Sequence, residues 1–146
     1  PTEEASALRN RLLFLIVPML NPDGVIVGNY RCSLSAVDLN RRWARPLMRH
    51  HPTIAALKKL LVRTHALQPV RLYVDLHGHS RKHNVFMYGC AEKGEAVLQK
   101  VFPLLLARRA PHAFAFRACS YAVKKGKDCT ARVVVHRELP LLFSYT

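Results

Sequence analysis

The feature that most constrains this chain is the passage from an apolar run into a dense turn near its start. Leu12 to Val17 is unbroken apolar sequence and reads as a buried strand, expected to run from Leu12 to Leu20. Asn21-Pro22-Asp23-Gly24 follows at once. Proline fixes φ, aspartate bonds its own backbone and glycine accepts positive φ, so the chain turns there. Gly24 to Ser35 is then expected to be a long functional loop. Asp38 to Trp43 closes it against the core, with Trp43 packed beneath the Asn40-Arg41 turn.

The rest of the chain alternates strand and helix signals. Thr2 to Arg11 reads as the tail of a helix. Thr53 to His65 is a second helix, with Thr53 as its cap and Ile54, Leu57, Leu60 and Leu61 on one face. Val70 to Leu76 alternates like a strand, and Asn84 to Tyr88 reads as another. Glu92 to Arg109 is the longest helical pattern, with Pro103 expected to kink or end it. Arg132 to Arg137 looks like a buried strand and Leu139 to Tyr145 a second short apolar element. Such alternation predicts one α/β domain.

Charge narrows the partners. Lysine and arginine number 23 against 9 acids, a net charge of +14, so the partner is expected to be anionic. Nucleic acid is the generic choice for that balance, but the aromatics are not interleaved with the basic residues as a stacking platform requires. No apolar run is long enough to span a bilayer. Cys32, Cys90, Cys119 and Cys129 lack CxxC spacing, which argues against a finger-type zinc site. With no secretory signal in view, free thiols in a reducing compartment are expected, and Cys90, after the apolar NVFMYG, is expected in the core.

Three constellations carry chemistry. Arg31, Asn40 and Arg41 offer two guanidinium groups and an amide to one cleft, a good receptor for a carboxylate. His77-Gly78-His79 closes an apolar strand. Residues two apart on a strand share a face, so either or both imidazoles are placed to hold a metal ion. Asp75 lies on the side of His77, where it either orients that ring or faces solvent. Tyr145 is expected to pack in the core.

These residues resemble a known family. NPDG, then an arginine, then D-L-N-R-x-W resembles the zinc metallocarboxypeptidases. The longer blocks PMLNPDGVIVGNYRCSLS and DLHGHSRKHNVFMYG resemble the cytosolic carboxypeptidase subfamily, which trims glutamates from tubulin and other acidic tails. The likeness is dense from Phe14 to about Cys90 and returns from Ser120 onward. It implies a mixed β-sheet flanked by helices, with residues 1–146 forming a partial catalytic domain that is incomplete at both ends.

The resemblance also assigns roles. His77 corresponds to a ligand of the single zinc ion, with His79 nearby in the pocket. Asn40 and Arg41 correspond to the anchor of the substrate's terminal carboxylate. Arg31 corresponds to the stabiliser of the oxyanion, and Arg132 to the selector of a C-terminal glutamate side chain. The family's HxxE motif is missing upstream of Phe14, and its catalytic glutamate would follow Thr146. Glu138 is then a structural or pocket-edge acid. Ala36 and Ala131 stand where the family has glycine, which strains any position of positive φ. Lys124, Lys125 and Lys127 form either a basic rim for acidic tails or a solvated loop.

The expected function is therefore zinc-dependent removal of glutamates from acidic tails, tubulin's above all, in the cytoplasm, with neither membrane nor nucleic acid as partner. The isolated chain is expected to be inactive. The alternative is a non-catalytic basic module or pseudoenzyme docking on acidic polymers or nucleic acid.

Overall fold

The structure, a computed structural model, describes residues 2–91, 94 and 96–146. It begins with helix α1, Glu3–Arg11, whose first turn is capped by the Thr2 hydroxyl accepting from Ala5 N at 3.2 Å. Residues 13–20 then run extended. A strand needs a neighbour to satisfy its backbone groups, and among the described residues this segment makes no backbone–backbone hydrogen bond. Ile16 is 82% exposed. The expected buried strand is thus exposed over residues 12–19 and unpaired over residues 13–20, and only Leu20 packs against the core.

The turn chemistry of NPDG opens a helix and not a loop. Asn21 Oδ1 accepts from Gly24 N at 3.2 Å, and Pro22 occupies the first turn, where its missing N–H is not needed. Helix α2, Pro22–Val27, ends at Gly28 with φ +83. A Cβ on Gly24 would lie 2.5 Å from the Cys32 carbonyl oxygen, so the returning loop depends on that glycine. Cys32 bridges Asp38, and the chain then turns through a 3-10 turn at Leu39–Arg41.

Helix α3, Pro52–Leu67, is the scaffold of the larger core. Ile54 and Leu61, two helical turns apart, are buried, Leu57 is half-buried between them, and Leu60 points outward at 44% exposure. They meet Trp43, Leu39 and Val134. Trp43 is 1% exposed and sets its ring edge against Tyr73 at 6.2 Å. Thr53 does not cap α3. The helix starts one residue earlier at Pro52, which frees the Thr53 hydroxyl to donate to Leu20 O at 2.7 Å.

The sheet is mixed and short. Strands β1, Tyr73–Val74, and β2, Ser144–Tyr145, pair in parallel with Tyr73 opposite Ser144. Beyond β2, Thr146 and Tyr88 exchange two backbone hydrogen bonds of 2.8 and 3.0 Å, and Tyr88 bridges Ser120. The expected strands over Val70 to Leu76 and Asn84 to Tyr88 therefore shrink to two residues and to isolated bridges. Under this ribbon lies a second cluster, where the Tyr145 ring stacks on Phe102 at 5.6 Å and its hydroxyl donates to Gln99 O at 2.7 Å. Tyr145 is core, as expected, and so is Cys90.

Helix α4, Val101–Arg109, follows a 3-10 turn at Leu98–Lys100. Of the expected helix from Glu92, residues 92, 93 and 95 lie outside the described residues. Pro103 neither kinks nor ends α4, because it sits in the first turn, where the N–H groups have no helical acceptor. The larger correction is at Arg132 to Arg137. This segment is helix α5, Ala131–Glu138, not a strand, and its first six residues are all buried. A short segment buried on every side carries no periodicity, and the run Val133 to Val135 mimics a central strand.

Candidate active site

Asp38 organises the site. Its Oδ1 accepts from Asn40 N at 2.9 Å, which starts the 3-10 turn. Its Oδ2 lies 3.7 Å from the Arg31 guanidinium and 3.8 Å from that of Arg41. Arg41 also donates to Asn40 O at 3.0 Å, while Arg31 lies 4.9 Å from the Tyr30 ring centroid. Three of the expected site residues, Arg31, Asn40 and Arg41, are thus held around one carboxylate, and both guanidinium groups retain exposed donors at 53% and 28% side-chain exposure.

Asn40 fastens this turn to two other elements. Its Oδ1 accepts from Ala131 N at 2.8 Å, satisfying an orphan donor at the start of α5. That fixes the amide orientation and aims Nδ2 at His77 Nε2, 3.0 Å away. Nε2 must therefore accept, and the proton resides on Nδ1, which donates to Asp75 Oδ1 at 3.1 Å. The Asp75 hydrogen bond pushes His77 above the usual imidazole value, against the opposing effect of burial. Of the two expectations for Asp75, orienting His77 is the one the structure shows.

His79 goes elsewhere. Its Nδ1 accepts from the backbone of Arg81 and Lys82, both at 3.1 Å, and its ring meets Phe86 edge-on at 5.2 Å. Among the described residues no group of three or more His, Cys, Asp or Glu side chains is placed to hold a metal ion. A catalytic zinc site needs three protein donors and an open position, so the described residues do not by themselves fit a resident zinc ion.

Arg132 projects from the first turn of α5. It is 7% exposed, its Nε donates to Gly89 O at 3.1 Å, and its guanidinium lies 5.5 Å from the Tyr88 ring centroid. Glu138, at the other end of α5, pairs with Lys58 at 2.8 Å. Lys58 also donates to Trp43 O, so Glu138 is a structural acid. Ala36 adopts φ +55, the strain foreseen for an alanine in a glycine position, whereas Ala131 has no positive φ.

The residue that motif reading undervalued is Lys127. Lys124 and Lys125 are exposed, but Lys127 is half-buried. Burial lowers its ammonium pKa, and Arg41, Arg31 and Arg132 lower it further, with Asp38 opposing. Lys127 therefore lies within electrostatic reach of Arg31, Arg41, Arg132 and Asp38, and this charged group is the basin of the site.

A family model described as zinc carboxypeptidase matches residues 2–126. The chain is 46% identical over 140 residues to cytosolic carboxypeptidase 3 of Mus musculus, covering 92% of this chain and 14% of that protein. It superposes on a metallo-carboxypeptidase from Burkholderia cenocepacia with a TM-score of 0.80 and 25% identity, over 97% of this chain and 37% of the other. A metallo-carboxypeptidase from Pseudomonas aeruginosa, in complex with (2-guanidinoethylmercapto)succinic acid, gives a TM-score of 0.75 at 26% identity, over 89% and 35%. Sequence and fold agree, and the chain belongs to the zinc carboxypeptidase family.

Proposed function

We propose that this chain is the substrate-binding part of a zinc-dependent carboxypeptidase that removes C-terminal or side-chain glutamates from acidic protein tails such as tubulin's. The observation that carries the reading is the basin itself: Arg31, Arg41, Lys127 and Arg132 around the carboxylate of Asp38. An excess of fixed positive charge, partly desolvated, is a receptor for carboxylates. The succinic acid derivative in the Pseudomonas aeruginosa relative is itself a dicarboxylate.

The geometry supports a role for each residue. Arg41 presents its guanidinium beside Asn40, whose Nδ2 keeps a second proton after donating to His77. Together they take the substrate's terminal carboxylate. Arg31, the more exposed guanidinium, faces the developing oxyanion, and loss of such a donor typically lowers the rate on the order of 100-fold. Arg132 and Lys127 line the place for an acidic side chain. His77 corresponds to a zinc donor of the family, although here its Nε2 meets Asn40 and its Nδ1 meets Asp75.

A cytosolic site of action follows the relative's name, and no disulfide is present among the described residues. No helix of the structure is long and apolar enough to cross a membrane. The test is incubation of the full-length protein with glutamate-rich tail peptides and with polyglutamylated tubulin, measuring released glutamate. Release that stops on chelation supports the reading. Salt-sensitive binding without release would instead make the chain a basic docking module.

A further inference from the structure

Acidic residues are missing from a long stretch of the chain. No Asp or Glu stands between Asp38 and Asp75, an interval that holds eight lysines and arginines. Two of these are engaged internally. Arg41 pairs with Asp38, and Lys58 pairs with Glu138 while donating to Trp43 O at 2.9 Å and Ala44 O at 3.0 Å. The two carbonyl bonds hold the loop after Trp43 against the flank of α3, which places the backbone at Arg45 beside the helix. Further on, the loop closes in a fixed turn that carries Arg49. There Leu47 O accepts from His50 N at 3.0 Å and His51 N at 2.7 Å, and Leu47 N donates to His51 Nδ1 at 3.2 Å. On α3, Lys59 and Arg63 stand one helical turn apart on the exposed face. Arg45, Arg49, Lys59 and Arg63 are all exposed and have no acidic partner among the described residues.

We propose that the outward surface formed by Arg45, Arg49, Lys59 and Arg63 is a docking surface for an acidic polypeptide segment, received through its side-chain carboxylates. It lies outside the group around Asp38 and goes beyond the carboxypeptidase reading, because it needs no free C-terminus. Like charges four apart on a helix, and more of them on the loop beside it, repel one another on the bare surface, and an anionic partner relieves that repulsion. The surroundings favour polypeptide over nucleic acid. Trp43 and Tyr73 are the only Phe, Tyr or Trp residues in the interval, and they pack together in the core. No such ring is left exposed there for a base to stack on. The cations are interspersed instead with exposed Leu47, Met48 and Leu60, apolar contacts that suit the side chains of a peptide.

The experiment uses the full-length protein and a fluorescein-labelled peptide of glutamate and alanine, amidated at its C-terminus so that it presents side-chain carboxylates only. Fluorescence anisotropy measures its affinity across a salt series. Arg45→Gln, Arg49→Gln, Lys59→Gln and Arg63→Gln combined are expected to weaken binding by about tenfold or more and to flatten the salt dependence. Exchanging Arg for Lys and Lys for Arg at the same positions is expected to keep most of the affinity. Each double variant, Arg45→Gln with Arg49→Gln or Lys59→Gln with Arg63→Gln, is expected to lose part of it. Unchanged affinity in the fourfold Gln variant would overturn the proposal. So would tighter binding of a single-stranded oligonucleotide of equal charge that the same variant abolishes, since the surface would then serve nucleic acid. Trimming of a short free-acid glutamate peptide is expected to be the same in wild type and the fourfold variant. A loss there would place these residues in the catalytic basin and equally overturn the proposal. If wild type trims nothing, the carboxypeptidase reading fails, and the anisotropy result still decides for or against the docking surface.

Discussion

Asn40 Nδ2 lies 3.0 Å from His77 Nε2, across an interval of 37 residues. The same amide holds Ala131 N through Oδ1, so one side chain couples the expected metal-binding strand end to the helix that carries Arg132. Asn40→Ala removes both bonds and leaves a helix-start donor unsatisfied. A loss of about 1–3 kcal/mol in stability is expected, read as a lower denaturant midpoint. Asn40→Asp, which keeps an acceptor for Ala131 N, is expected to recover part of it.

The Asp75–His77 pair gives a pH prediction of definite sign. Asp75 raises the folded-state value of His77 above the ordinary 6.5. The pair's contribution to stability is therefore full below the unfolded value and fades as pH rises through the raised folded value. In the metal-free protein, proton NMR titration should place His77 above 6.5. Asp75→Asn is expected to lower the midpoint, and Asn40→Ala to raise it, because the amide donates to the neutral ring.

Ala36, at φ +55, carries strain that glycine would not. Ala36→Gly is expected to stabilise the protein by up to about 1 kcal/mol, the relief of strain outweighing the added freedom of the unfolded chain. A raised denaturant midpoint with an unchanged slope checks it.

Gly89 sits where Arg132 and the buried side chains converge. A Cβ there would lie 2.8 Å from both Gln99 Oε1 and Tyr121 Cδ1. Gly89→Ala is expected to cost about 1–3 kcal/mol through overpacking and to weaken the Arg132 Nε bond to Gly89 O. Thermal unfolding measures the first effect and loss of Glu-over-Gln preference the second.

How legible the molecule was from sequence varied with the kind of signal. The group around Asp38 was readable because its residues lie within eleven positions of one another and local turn chemistry brings them together. The core face of α3 was readable from period at Ile54, Leu57 and Leu61, but not at Leu60, which points outward. Helix α5 was not, since burial on all sides erases the period that separates a helix from a strand. Residues 13–20 have the composition of a strand, but pairing is a tertiary property and they find no backbone partner among the described residues. Lys127 looked like one of three loop lysines. What distinguishes it is the turn at Gly126 and the approach of Arg41 and Arg132 from distant parts of the chain, neither of which is local in sequence.

The most direct test of the central claim, that the basin receives a terminal carboxylate, uses the full-length protein and one glutamate-ending peptide in free-acid and C-terminally amidated forms. Mass spectrometry follows the trimming of each. The expected result is stepwise loss of single residues from the free acid, abolished by Arg41→Ala, with the amidated peptide left intact. Equal trimming of both forms, or cleavage of the free acid only at internal bonds, would contradict the account.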